Sequence, residues 1–121
     1  MVVCGLGNVG RAFIELIAER GEELESRYGL RPVLSAAVDI GGAAIQDDQG
    51  IVPADLLAHL RAGDTVETFS PSGFPGISGA KAIAQADAQV LIETTPTNLA
   101  DGEPGRTHIV AALERGMEVV S

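Results

Sequence analysis

Three glycines near the start of the 121-residue sequence have a spacing that can do chemistry. Gly5, Gly7 and Gly10 lie in the run Gly5-Leu6-Gly7-Asn8-Val9-Gly10, directly after the apolar segment Met1-Val2-Val3-Cys4. An amphipathic stretch follows at once. A G-x-G-x-x-G set between a strand and a helix is the arrangement that cradles a dinucleotide pyrophosphate. Gly5 would let the strand turn sharply, and Gly7 would let backbone approach the phosphates with no side chain between. Gly10 would let the helix pack close to the sheet. The helix N-terminus would add unpaired N–H groups and the positive end of its dipole. The competing reading is a plain glycine turn, and the strand-then-helix context argues against it.

Two further segments fit the same ligand. Asp39 closes the β-prone run Val33-Leu34-Ser35-Ala36-Ala37-Val38. A carboxylate there can accept hydrogen bonds from the adenosine ribose hydroxyls and repel a 2′-phosphate, which favours NAD over NADP. Arg31 could still reach a phosphate, so both cofactors stay open. Asp39 lies 29 residues past Gly10, against a usual interval of about 20, and a long first helix accounts for the difference. A solvated loop acid is the alternative. Thr94-Thr95-Pro96-Thr97-Asn98 follows a third apolar run. Ligands of open α/β sheets lie off the carboxyl ends of strands, so these small hydroxyls and the rigid proline could shape the nicotinamide–ribose side. A helix-capping turn is the alternative there. The expected cofactor-binding residues are therefore Gly5, Leu6, Gly7, Asn8, Val9, Gly10, Asp39, Thr94, Thr95 and Pro96. Cys4 reads as a buried strand residue. His59 and His108 fall on predicted helices with no acid or nucleophile at a telling spacing, so both read as structural or exposed. No metal ligands and no catalytic residue are assigned.

The elements that must position these groups alternate along the chain. Val9, Phe13, Leu16, Ile17, Leu24 and Tyr28 recur at helical spacing and predict a long helix stopped by Gly29. Gly21 falls on that face, where it either allows close packing or frays the helix. Residues 43–52 read as a short hairpin or arm outside the core. Pro53 opens a short helix with Leu56, Leu57 and Leu60 on one stripe, closed by Gly63. Residues 70–76 read as a loop and about 78–86 as an Ala-rich helix. A buried strand is predicted over 89–93. Pro104 starts a last helix, with Ile109, Val110, Ala112 and Leu113 on its face, and a strand begins at Met117. Strands and helices in this order predict a Rossmann-type doubly wound α/β fold, a mostly parallel sheet with helices on both faces.

Composition agrees and excludes other classes. At 45% hydrophobic residues the chain can build a core, and with aromatics at 3% that core must be aliphatic. The formal charge of −9 repels phosphate polymers and anionic lipid, so neither nucleic acid nor a membrane is an expected partner. A phosphate must then be held locally, by amides and a helix end. No apolar run approaches the roughly 18 residues that span a bilayer. No leader pattern is read at the start, and the single cysteine makes no internal disulfide. A soluble, reducing, cytoplasmic setting is expected.

Over nearly its full length the sequence resembles the N-terminal nucleotide-binding domain of homoserine dehydrogenases. The resemblance is carried by Gly5-Leu6-Gly7-Asn8-Val9-Gly10-Arg11, by Ala37-Val38-Asp39 with the glycine pair after it, and by Glu93-Thr94-Thr95-Pro96-Thr97-Asn98. Gly105 through Ser121, with His108, Ala112-Leu113 and Gly116, completes it. It implies reversible NAD(P)-linked conversion of homoserine to aspartate 4-semialdehyde, on the route to threonine and methionine. In the family, the strand ending near Val120-Ser121 runs on into an Asn-Lys pair and then a substrate and dimerisation domain. The resemblance therefore implies that residues 1–121 form one NAD(P)-binding domain, the cofactor half of an enzyme. Such a half is expected to be inactive alone, to meet a small-molecule substrate only with the other domain, and to belong to a homodimer when full-length. The cofactor half of an aspartate dehydrogenase-like enzyme and a stand-alone dinucleotide-binding, redox-sensing module are the alternatives.

Overall fold

The computed structural model describes residues 1–121. Val2-Val3-Cys4 forms β1, every residue of it buried. The chain then turns at Gly5 (φ 90°) and enters α1, Asn8–Tyr28. Gly29 ends α1 in the left-handed conformation (φ 66°), its N–H bonded to the Glu25 carbonyl at 3.0 Å and that of Leu30 to Leu24 at 3.2 Å. β2 (Ala36–Asp39) and β3 (Gly42–Ile45) make a tight hairpin. Next come α2 (Pro53–Arg61), a single 3₁₀ turn at Val66–Thr68, and β4 (Gly73–Pro75). α3 (Gly79–Gln85), β5 (Val90–Glu93), α4 (Gly105–Glu114) and β6 (Glu118–Val120) complete the chain. No helix is long and apolar enough to cross a membrane.

The strands lie in the order β4-β3-β2-β1-β5-β6. β1 pairs in parallel with β2 on one side and β5 on the other, and β5 pairs in parallel with β6. β3 and β4 are antiparallel additions on one edge. The sheet is mostly parallel and doubly wound, as expected, and its order reverses at β1. Alternation along the central strands divides the core in two. Val3, Ala37 and Ile92 face one layer with Ile14, Leu56, Leu57 and Leu60 from α1 and α2. Val2, Cys4, Ala36, Val38 and Leu91 face the other, with Ala82, Ile83 and Ala112 from α3 and α4.

Several expectations need correction. Residues 43–52 are not an arm outside the core: Ala43 and Ala44 are fully buried in β3, and Ile51 is buried where it bridges Leu34. Alanine carries little hydrophobic signal alone, yet Ala44 belongs to the α1–α2 layer of the core and Ala43 to the α3–α4 layer. The predicted loop at 70–76 contains β4, an edge strand recruited by β3 rather than by its own propensity. α1 buries Gly10, Ile14 and Ile17, while Val9, Leu16 and Tyr28 are exposed, so the apolar face is phased differently from the one read in sequence. Gly21 neither frays the helix nor packs on the sheet, since a Cβ there would meet only the Pro32 ring at 3.8 Å. On α4 the buried residues are His108 and Ala112, with Val110 and Leu113 exposed.

Candidate functional site

At the carboxyl end of β1, where the strand order reverses, a cleft of about 710 Å³ opens. Open α/β sheets bind ligands at such a switch point, and the volume falls within the range of small-molecule sites. Its walls include Gly5, Leu6, Gly7, Asn8 and Val9 from the first turn, Asp39 from the end of β2, and Thr94, Thr95 and Pro96 after β5. Nine of the ten residues singled out by spacing thus line one cleft. Gly10 does not. A Cβ on Gly10 would overlap the Gly5 carbonyl oxygen, so this glycine serves the close approach of α1 to the turn.

The remaining glycines of the turn do different work. A Cβ on Gly5 would lie 2.7 Å from the Thr94 carbonyl carbon and the Thr95 nitrogen, so Gly5 lets the β5 loop come against the turn. Around Gly7 there is nothing within 4 Å of a built Cβ. That space is open in front of the N-terminus of α1, which no side chain caps. The amides of its first turn are unspent within the helix, and Arg11 N–H is the first to find an acceptor, the Gly7 carbonyl at 3.0 Å. The Arg11 guanidinium is turned back onto the Leu6 carbonyl, 2.8 Å from its Nε. Leu6 itself is buried in the α1–α2 layer of the core. The cradle fits an anion held by backbone rather than by a cation.

Thr94 and Thr95 of the β5 loop both spend their hydroxyls within the chain. Thr94 Oγ1 lies 2.9 Å from both the Cys4 and Gly5 carbonyl oxygens and donates to this pair, pinning the turn. Thr95 donates its hydroxyl to Glu93 Oε1, and its amide donates to the same oxygen at 2.7 Å. These hydroxyls build the wall instead of reaching out of it as donors. Asp39 is exposed at the opposite rim, one carboxylate oxygen accepting from Ile40 N–H at 3.0 Å. Arg31 lies elsewhere, beside Met1 and Val33 near the opposite end of the strands, and no lysine or arginine lines the cleft.

Sequence reasoning missed a buried pair beside this cleft, of which His108 is the member that lines it. Glu93 and His108 are both buried, with His108 Nδ1 2.8 Å from Glu93 Oε2. Burial alone would raise the Glu93 pKa; the hydrogen bonds from His108 and Thr95 overcome it and hold the carboxyl below its usual range. Cys4 Sγ belongs to the same group, the three ligating atoms lying within 4.8 Å of one another. Burial, reinforced by the Glu93 charge, pushes the Cys4 thiol well above its usual range, so it stays protonated. The partners are far apart in sequence, so no local spacing could show the pair. The available signal was Glu93 itself, an acid ending the apolar run Val90-Leu91-Ile92, because a buried carboxylate requires partners. His59 is unrelated to the site: its Nε2 meets the Thr65 carbonyl at 2.8 Å and its ring packs edge-on against Phe69. Ile77, Ser78, Gly79 and Pro104 also line the cleft without having been foreseen.

Fold and cleft together define a Rossmann-type α/β domain. No family model matches the chain. Its full length is 31% identical to an NAD(+)-dependent homoserine dehydrogenase of Pseudomonas canavaninivorans, covering 34% of that protein. It is 28% identical to a homoserine dehydrogenase of Methanocaldococcus jannaschii, covering 35% of it. A hyperthermophilic archaeal homoserine dehydrogenase mutant, solved in complex with NADPH, superposes with a TM-score of 0.76 over 99% of this chain and 35% of its own, at 18% identity. By sequence, the chain is related to the homoserine dehydrogenases along its whole length. It spans about a third of the length of the curated relatives it matches.

Proposed function

We propose that residues 1–121 form the dinucleotide-binding domain of an NAD(P)-dependent oxidoreductase of the homoserine dehydrogenase type. The observation that carries this reading is the empty space over Gly7, framed by glycines whose Cβ positions are occupied by backbone and set against an uncapped helix N-terminus. A pyrophosphate fits there by amide hydrogen bonds and the helix dipole. Asp39 would accept from the adenosine ribose hydroxyls, and with no lysine or arginine in the lining a 2′-phosphate would find no counter-charge. NAD is therefore favoured over NADP.

When bound, the nicotinamide supplies the hydride chemistry. This chain's residues hold and orient it: the glycine turn fixes the diphosphate, and Thr94 keeps that turn closed against Cys4 and Gly5. The β5 loop with Pro96 forms the wall on the other side. In this reading the substrate pair is homoserine and aspartate 4-semialdehyde, in the cytoplasm. The substrate-binding groups and any homodimer contacts would come from the remainder of the length of such enzymes.

Calorimetric titration with NAD and NADP tests the reading. Gly7→Val should abolish binding while leaving the fold intact, because φ at Gly7 is −79° and the added atoms enter only the space reserved for phosphate. A Gly7→Val chain that binds NAD as well as the parent would show that the turn is no phosphate cradle. Asp39→Ser should weaken NAD more than NADP, and an equal loss for both would remove Asp39 as the ribose contact.

A further inference from the structure

We propose that His108 contacts the ligand in the cleft: with Nδ1–H committed to Glu93, its Nε2 accepts a hydrogen bond from a neutral O–H or N–H donor of the bound dinucleotide. This deepens the nucleotide-binding reading and rests on it.

The geometry fixes the tautomer first. Glu93 is ionised, held so by His108 and Thr95, and an ionised carboxylate only accepts hydrogen bonds. Nδ1, 2.8 Å from Oε2, must therefore be the donor. In the neutral ring this leaves the lone pair on Nε2. The side chain is 8% exposed, and Nε2 has no hydrogen-bond partner within the chain. Every fully enclosed side-chain nitrogen or oxygen in the molecule does have one. Nε2 is thus reached from the cleft, which His108 lines together with Gly79.

Gly79 explains how the ring gets there. A Cβ at that position would overlap Nε2 and its neighbouring ring atoms, so only glycine at the start of α3 admits the imidazole edge. The result is an unpartnered acceptor open to the cleft, in a lining whose threonine hydroxyls already donate elsewhere. Its donor must come from whatever fills the cleft, and a ligand that displaces solvent there must replace that hydrogen bond. A dinucleotide offers ribose hydroxyls and the amino groups of its carboxamide and adenine. All are neutral donors, and they are found on both halves of the molecule.

Nitrogen NMR of the two imidazoles during an NAD titration reads this directly, with His59 in the other helical layer as an internal control. The His108 Nε2 resonance should move in step with saturation while that of His59 stays fixed. AMP, ADP-ribose and nicotinamide mononucleotide, titrated separately, assign the donor to the half whose addition moves the resonance. His108→Asn keeps a donor near the Nδ1 position for Glu93 but has no atom at Nε2. It should bind NAD about five- to tenfold more weakly, the value of one lost neutral hydrogen bond, at a thermal midpoint close to the parent's. If the parent binds NAD and the His108 Nε2 resonance does not move, or if a folded His108→Asn binds as tightly, the inference falls and the nucleotide-binding reading stands. A parent chain that binds neither NAD nor NADP overturns both. Should His108→Asn fail to fold, the parent's NMR titration alone decides.

Discussion

Two of the three glycines at the first turn, Gly7 and Gly10, are there for opposite reasons, and substitution separates them. At Gly10 an added methyl would collide with the Gly5 carbonyl oxygen, which belongs to backbone and cannot rotate away. Gly10→Ala should therefore destabilise the fold by about 1–3 kcal/mol, the range for overpacking, as a lowered urea midpoint. Gly7→Val meets no neighbouring atom and changes only the N-cap preference, so it should cost less, under about 1 kcal/mol. Equal stability of the two variants would mean that α1 can move off the turn, contrary to the close approach seen here. Glu93 gives a second residue-scale test, in pH. Its pKa is lowered on folding from an ordinary 4.5, so its contribution is fully present above that value and lost as pH falls through the lower folded one. Stability should drop on acidification below about pH 4.5, and Glu93→Gln should flatten that limb of the curve. An unchanged acid limb in Glu93→Gln would place the ionic hydrogen bonds elsewhere. Sequence showed the glycines because their whole argument is local. It could not show Glu93 with His108, because β5 and α4 must be folded together before they meet.

At the scale of elements, the sheet relies on helices to cover it, and the stripe on α2 is the clearest case. Leu56, Leu57 and Leu60 are buried against α1 and the sheet, and Leu56 is fully enclosed. Leu56→Ala should cost about 2–5 kcal/mol, measured by denaturant unfolding with an unchanged m-value. A cost under 1 kcal/mol would mean that α2 is loosely docked and the cleft is built without it. Elements with strong periodicity or clear punctuation were legible: β1, α1 with Gly29, α2 with Pro53 and Gly63, and β5. β3 and β4 were not, for a physical reason. Gly42-Ala43-Ala44-Ile45 and Gly73-Phe74-Pro75 have weak strand preference of their own and exist as strands because β2 offers an edge to β3, and β3 in turn offers one to β4. The phase of α1 escaped because exposed Val9, Leu16 and Tyr28 recur at the same spacing as the buried residues.

For the molecule as a whole, the proposed site is an anion site in a strongly acidic chain, with a formal charge of −9. The attraction at the glycine turn comes from amide dipoles and acts over a few ångströms, while the repulsion from the carboxylates is long-ranged. The Debye length shrinks from about 30 Å at 0.01 M salt to about 8 Å at 0.15 M, which removes most of the repulsion and little of the attraction. NAD affinity should therefore hold or rise as sodium chloride increases across that range, and whatever weak affinity NADP shows should rise more, because its extra phosphate feels more of the field. Sites built on lysine and arginine behave the other way. Calorimetric titrations at several salt concentrations distinguish the two. A steep fall in affinity with salt would mean that a cationic side chain carries the phosphates, and the amides of Asn8, Val9 and Gly10 would lose their assigned role.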